Sequence, residues 1–90
     1  MKNIVTGSVV MSTQGRDKDM YFVVVGVGDG VVYLADGGMR RLASPKKKNI
    51  KHVSDSGTVL ETIAQKLTEG RKVFDSEVKS ALRQFCQQNQ

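Results

Sequence analysis

The first half of the chain alternates short runs of β-branched and aromatic residues with glycine-containing turns. The strongest run covers residues 20–27, and such side chains pack well on a pleated strand surface. Residues 28–30 supply an Asp-Gly pair that permits a tight hairpin, and residues 31–35 return from it. Weaker strand candidates lie at residues 7–12 and 50–53. Several short strands joined by glycine turns predict a small antiparallel β-barrel over residues 1–55.

Residues 36–42 are harder to assign from their pattern. Residues 36–38 predict a further turn, and residues 39–42 follow it. Pro45 interrupts any strand pairing there, because proline lacks the N–H that a sheet requires.

The second half, residues 56–90, changes to a helical period. Thr58 and Glu61 have the spacing of a capping box, and Gly70 predicts the end of the first helix. Two short amphipathic helices cannot bury their apolar stripes alone, so we expect a helical hairpin packed on one side of the barrel. The stripes repeat at i, i+3, i+4 and i+7, and they comprise Leu60, Ile63, Ala64 and Leu67, then Val78, Ala81, Leu82 and Phe85. The fold class predicted is therefore α+β.

Positive charge is concentrated in the first part of the chain. Residues 1–53 contain 9 Lys and Arg against 4 Asp, whereas residues 54–90 contain 5 basic and 5 acidic residues. Residues 40–51 hold six basic residues and no acid. Lysine-rich loops are often only solvated, but this asymmetry favours binding of a polyanion.

The candidate RNA-binding residues are basic side chains that the loops of the barrel would present to phosphates. Arginine can hold a phosphate through two N–H groups, whereas lysine acts mainly as a point charge. We expect His52 to stack or to bond a phosphate, and Tyr21, which alternation places opposite Phe22, to be exposed for stacking on bases. The basic candidates, all expected at the surface, are Arg16, Lys18, Arg40, Arg41, Lys46, Lys47, Lys48 and Lys51.

Other kinds of chemistry find little support in the sequence. Residues 26–30 lack the spacing of a dinucleotide-binding glycine loop, and a strand follows them instead of a helix. His52, Ser54 and Asp55 have no partners suggesting a catalytic triad, and one His with one Cys makes no zinc ligand set. We therefore expect that the protein is not an enzyme and that it binds no metal ion, no cofactor and no small-molecule substrate.

The setting expected is cytoplasmic, without a membrane. No apolar run is long enough to span a bilayer, and the first residues do not continue into a signal-peptide core. Cys86 is the only cysteine, so it can form no internal disulfide, and we expect it beside Phe85 near the packed helix face.

Two groups of segments resemble a known family. Gly7-Ser8-Val9-Val10, Gly15-Arg16-Asp17-Lys18 and residues 21–25 resemble the opening of a KOW-motif domain, a strand–loop–strand unit with a glycine in its loop. Residues 34–37, 40–42 and 45–52 resemble later blocks of the KOW-type large-subunit ribosomal proteins of archaea and eukaryotes, and of their small bacterial relatives. The likeness covers about the first half of the chain, and the helical tail resembles the extension of the bacterial relatives.

This resemblance implies an SH3-like barrel that binds RNA, usually ribosomal RNA or in translation, with the ribosome or a ribosomal protein as a further partner. It implies no catalysis. Two alternatives remain open: a protein-interaction module that uses the neutral helical half, and a transcription-linked KOW domain that binds duplex DNA.

Overall fold

A computed structural model describes residues 3–88 as an antiparallel sheet covered on one side by two helices. The sheet has five strands, in the order β4-β3-β2-β1-β5. The elements are β1 (Ser8–Ser12), β2 (Tyr21–Val27), β3 (Val31–Ala35), β4 (Lys46–Asn49), a 3₁₀ turn (Ile50–His52), β5 (Val53–Val59), α1 (Glu61–Thr68) and α2 (Asp75–Gln88). The predicted α+β class is confirmed.

The hairpin of β2 and β3 forms where the sequence predicts it. Gly30 has a φ of 72°, a left-handed conformation that glycine adopts without steric cost. The register shifts between Val24 and Gly26 on β2, and again between Ser8 and Val10 on β1. Irregularities of this kind bend a strand locally and increase its twist.

Alternation along the strands divides the apolar side chains into two clusters. Successive residues such as Val9 and Val10 point to opposite faces, and both are fully buried. The inner face encloses Ile4, Val10, Phe22, Val24, Val32, Leu34 and Val53. The outer face packs Val9 and Val23 against Ile63, Val78, Leu82 and Phe85. The predicted helix stripes therefore do cover one side of the sheet.

The structure corrects the assignments between the two halves. Residues 46–49, expected as a basic loop, form strand β4, which pairs with β3 from Val31–Asn49 to Leu34–Lys46. Of the edge strand predicted at residues 50–53, residues 50–52 form a 3₁₀ turn instead, and only Val53 belongs to an edge strand, as the first residue of β5. β5 runs to Val59, across the boundary predicted at residue 55.

The two ends of α1 differ in how well the sequence predicted them. The capping box was wrong: Thr58 belongs to β5, and the N-cap is Leu60, which makes no side-chain capping bond. The C-terminal end is confirmed. Gly70 has a φ of 72°, and the N–H of Arg71 donates to the carbonyl of Lys66 at 2.8 Å, as in a Schellman motif.

Candidate nucleic-acid interface

Asp17 lies at the centre of a cluster of charged side chains at one end of the sheet. Its Oδ2 accepts from Lys46 Nζ at 2.7 Å, and its Oδ1 accepts from Lys48 Nζ, also at 2.7 Å. The hydroxyl of Ser12 donates to the same Oδ1 at 2.7 Å. Lys48 Nζ also donates to the carbonyl of Gln14 at 2.6 Å. The cluster therefore joins β4 to the loop between β1 and β2.

The ionised form of Asp17 is strongly favoured. Burial by itself opposes the charge, but the hydrogen bonds from Lys46, Lys48 and Ser12 outweigh it and hold the pKa of the carboxyl well below its ordinary value of 3.8. Asp17 therefore stays a carboxylate at neutral pH and offsets one of the two positive charges beside it.

The three consecutive lysines consequently have different environments. Strand geometry sends Lys46 and Lys48 to the side of Asp17 and Lys47 to the other. The side chain of Lys48 is 8% exposed, that of Lys46 is 27% exposed, and Lys47 is exposed. The expectation that all three lie free at the surface is wrong for Lys48, because its ammonium is buried against Asp17. It is wrong in part for Lys46, which is half-buried and paired with the same carboxylate.

A groove opens beside this cluster, between the loop that precedes β2 and the loop that follows β3. Three predicted binding residues come together in it: Arg16, Arg40 and Lys46. Both arginines are exposed, and neither forms an ion pair within residues 3–88. We call this cavity, of about 410 Å³, the loop groove; its other lining residues are Asp17, Met20, Phe22, Asp36 and Met39.

The loop that carries Arg40 is held together by hydrogen bonds among its own residues. Asp36 Oδ1 accepts the N–H groups of Gly38 and Arg40 at 2.8 and 2.9 Å. The N–H groups of Asp36 and Gly37 in turn donate to the carbonyl of Arg40 at 2.9 and 3.1 Å. This network fixes the point from which the Arg40 side chain projects.

Helix α2 contacts the same loop and fixes its position. Gly37 has a φ of 79°, and a Cβ at this position would collide with the backbone of Asp75. The Asp75 carboxylate, which the first turn of α2 presents, accepts the N–H of Leu42 at 2.7 Å. The helical half therefore positions a loop that the sequence assigned to the barrel alone.

The remaining candidates lie outside the loop groove. Lys18, Arg41 and Lys51 are exposed, as expected, and His52 is half-buried in the 3₁₀ turn. Tyr21 differs from the expected exposed ring. It is half-buried on the helix side of the sheet, with its ring 5.2 Å from that of Phe85 in an edge-to-face contact.

Sequence reasoning missed several residues around the loop groove. Met20 and Met39 line it and are 42% and 88% exposed. A second cavity of about 520 Å³ continues toward α2, where Lys79, Arg83 and Cys86 line it. Cys86 is exposed, contrary to the position expected beside the packed face. Lys79 and Arg83 have the i, i+4 spacing that places two side chains on one helix face. This spacing is the sequence signal from which the pair could have been predicted.

Within residues 3–88, no group of three or more His, Cys, Asp or Glu side chains is placed to hold a metal ion. No helix in that range has the length and apolar character needed to cross a bilayer. Comparison with known proteins gave no match, either to a protein-family model or to a curated sequence.

Proposed function

We propose that this protein is a non-catalytic, cytoplasmic RNA-binding protein that contacts phosphates through the loop groove, in association with ribosomal RNA or translation. The observation that carries the proposal is the convergence of Arg16, Arg40 and Lys46 on one groove. Arginines free of ion pairs can each offer a planar pair of N–H groups to a phosphate. Lys47 and Lys51 add exposed positive charge elsewhere on the same half of the chain.

We infer further that the sheet closes as an SH3-like barrel of the KOW type. The 3₁₀ turn supports this, because its two ends bond to distant parts of the sheet. The N–H of Ile50 donates to the carbonyl of Gly30 at 3.0 Å, and the carbonyl of His52 accepts from Thr13 at 2.9 Å. Val53, at the start of the edge strand β5, joins the same inner cluster as residues of β3. Both features support closure of the sheet into a barrel, because they link β4 and β5, the two edge strands, to the same part of the protein.

Recognition by this surface depends on the shape and backbone of the RNA more than on its sequence. The loop groove has no Asn or Gln to pair with adenine edges, and we assign its two arginines to phosphates. Phosphate contacts position a protein on nucleic acid without reading its sequence. Ribosomal RNA, whose folded backbone presents many closely spaced phosphates, is a partner that fits such a surface.

The test is the salt dependence of binding to ribosomal RNA fragments. For roughly three to five phosphate contacts, log affinity should fall with log salt at a slope of about −2 to −4, because bound counterions are released. The variant Arg16→Gln with Arg40→Gln should weaken binding and make the slope shallower. Arg71→Gln with Lys72→Gln is the matched control, since it removes the same charge from exposed residues outside the loop groove.

The outcomes separate the possible partners. A slope near zero, or equal losses in both double variants, contradicts the phosphate-contact mechanism. Competition by duplex DNA as strong as that by structured RNA at equal salt favours the transcription-linked alternative.

One observation favours a protein-interaction role for the helical half. A groove of about 580 Å³ lies between the start of α1 and the middle of α2, with apolar Val59, Leu60 and Ile63 beside Glu61 and Glu77. Val59 is 41% exposed, at the end of the edge strand β5 and beside this groove. Co-purification of a protein partner that is lost in Val59→Ser, with RNA binding unchanged, would favour this role for the helical half.

A further inference from the structure

The loop groove does not end at the loops. The second cavity shares Met20, Asp36 and Met39 with it and runs on to Lys79 and Arg83 of α2. The two cavities therefore adjoin, with Arg16, Arg40 and Lys46 in one and two further basic residues in the other. We call the two adjoining cavities the extended groove.

We propose that Lys79 and Arg83 bind the phosphate backbone of the same RNA strand that occupies the loop groove, and that this strand is unpaired. The inference rests on the proposed function and adds the kind of RNA and a role for α2. It changes the assignment of the helical half, which the sequence treated as neutral packing.

The two basic residues on α2 are available for a ligand. Both are exposed, and neither forms an ion pair within residues 3–88. They lie about 6 Å apart along the helix axis, since four residues rise about 1.5 Å each. Side chains at this spacing share a face, so both can reach one strand that passes across the helix.

The nearby acids are mostly engaged elsewhere. Glu77 accepts from Lys66 at 2.8 Å, and Asp75 accepts from the backbone of Leu42. Asp36, on the border of the two cavities, accepts two N–H groups of its own loop. Asp19 also lines the α2 end and is exposed. These hydrogen bonds leave the carboxylates charged, so Asp19 and Asp36 balance Lys79 and Arg83 at the α2 end. Over the whole extended groove five basic residues face three acidic ones, Asp17, Asp19 and Asp36, and the net charge stays positive.

The middle of the extended groove points to unpaired bases. Met20 and Met39 line both cavities, with 42% and 88% of their surface exposed. A thioether is polarizable and makes favourable contacts with aromatic rings. A positive groove with an apolar middle suits a single strand, whose bases can turn toward the protein while the phosphates follow the charges. In a duplex the bases are stacked inside and could not reach these methionines.

The probes are a short single-stranded RNA of mixed sequence and the duplex formed with its complement. Lys79→Gln with Arg83→Gln should bind the single strand more weakly, with a salt slope shallower by about 1.5, because two phosphate contacts are lost. Met39→Ser should weaken single-strand binding and leave the slope unchanged, since it removes no charge. Arg71→Gln with Lys72→Gln again serves as the charge-matched control. Thermal unfolding verifies that each variant is folded.

Failure of this inference is distinguishable from failure of the proposed function. If the wild-type protein binds ribosomal RNA fragments but neither short probe, the assignment to unpaired RNA is wrong and the proposed function stands; if it binds none of these RNAs, both are wrong. If it binds RNA through Arg16 and Arg40 while the Lys79/Arg83 variant keeps full affinity and slope, only the role of α2 is overturned. If duplex binds as tightly as single strand, or Met39→Ser has no effect, the assignment to unpaired RNA is overturned.

Discussion

Asp17 and Lys48 are separated by 31 positions in the chain, and their carboxylate and ammonium lie 2.7 Å apart in the interior of the protein. A lysine that is 8% exposed cannot at the same time bind a phosphate in solution. This pair therefore divides the basic segment into residues that hold the fold and residues that remain for a ligand. It also connects β4 to the loop from which Arg16 projects.

Substitution of adjacent lysines should separate these two roles. Lys48→Gln leaves Asp17 with Lys46 as its single cationic partner and should cost about 1–3 kcal/mol of stability, the penalty for breaking a buried charged hydrogen bond. Lys47→Gln removes the same charge from an exposed site and should cost under about 0.5 kcal/mol. Urea denaturation of both variants measures the difference. Equal stabilities would mean that the contact of Lys48 with Asp17 contributes nothing to folding.

Parts of the fold could be predicted because local sequence determines them. The hairpin of β2 and β3 combines an apolar run, an Asp-Gly turn and a second apolar run within 15 residues, 21–35. The helix stripes were equally readable from their period. β4 was missed because Lys-Lys-Lys-Asn has low strand propensity, and its pairing with β3 decides the conformation instead.

The candidate site was predictable in composition but not in arrangement. Charge counting identifies the basic residues, including Arg16, Arg40 and Lys46. Charge counting cannot show that Lys48 is buried against Asp17 and is therefore not available to a ligand, since that contact joins residues far apart in sequence. Lys79 and Arg83 were overlooked because a charge sum over the whole helical half does not show which basic residues lack an ion pair.

The pH dependence of stability should report the charge on Asp17. Its pKa in the folded protein lies well below the unfolded value of 3.8, so the carboxylate stabilises the fold at any pH above that value. This contribution is lost as the pH falls from about 5 through the unfolded value and beyond, where protons bind the unfolded chain more readily. The difference in unfolding free energy between wild type and Asp17→Asn should therefore shrink on acidification. Other carboxyl groups titrate in both proteins and cancel in this difference, and a difference that does not change with pH would contradict the role of the ion pairs.

The contact of the Arg40 loop with α2 can be tested at Gly37. Gly37→Ala places a Cβ against the Asp75 carbonyl and 2.8 Å from the backbone nitrogen of Lys79, in a left-handed conformation that also strains alanine. Gly30→Ala has the same kind of φ, 72°, but no heavy atom within 4 Å, so it should cost only the conformational penalty of about 1–2 kcal/mol. Gly37→Ala should be less stable than this control and should lose RNA affinity, because the loop that carries Arg40 must move. If the two variants match in stability and binding, the loop does not depend on α2.

Truncation of Phe85, whose ring contacts that of Tyr21, tests whether the helices complete the core. Phe85 is 6% exposed and packs with Val78 and Leu82 on Val9 and Val23 of the sheet. Phe85→Ala should cost about 3–5 kcal/mol, which is a large part of the stability of so small a domain. Phe74→Ala is a matched control, because Phe74 is 53% exposed just before α2 and its truncation should cost far less.

The two possible results for Phe85→Ala lead to different views of the helical half. Loss of cooperative unfolding, seen by circular dichroism, means that α2 is part of the core and holds Lys79, Arg83 and the Arg40 loop in place. A variant that stays folded and keeps its RNA affinity, yet no longer sediments with ribosomes, would instead make the helix face a docking surface for a protein. Because α2 contacts the sheet through one face and carries free basic residues on another, we expect the first result, with RNA affinity falling in parallel with stability.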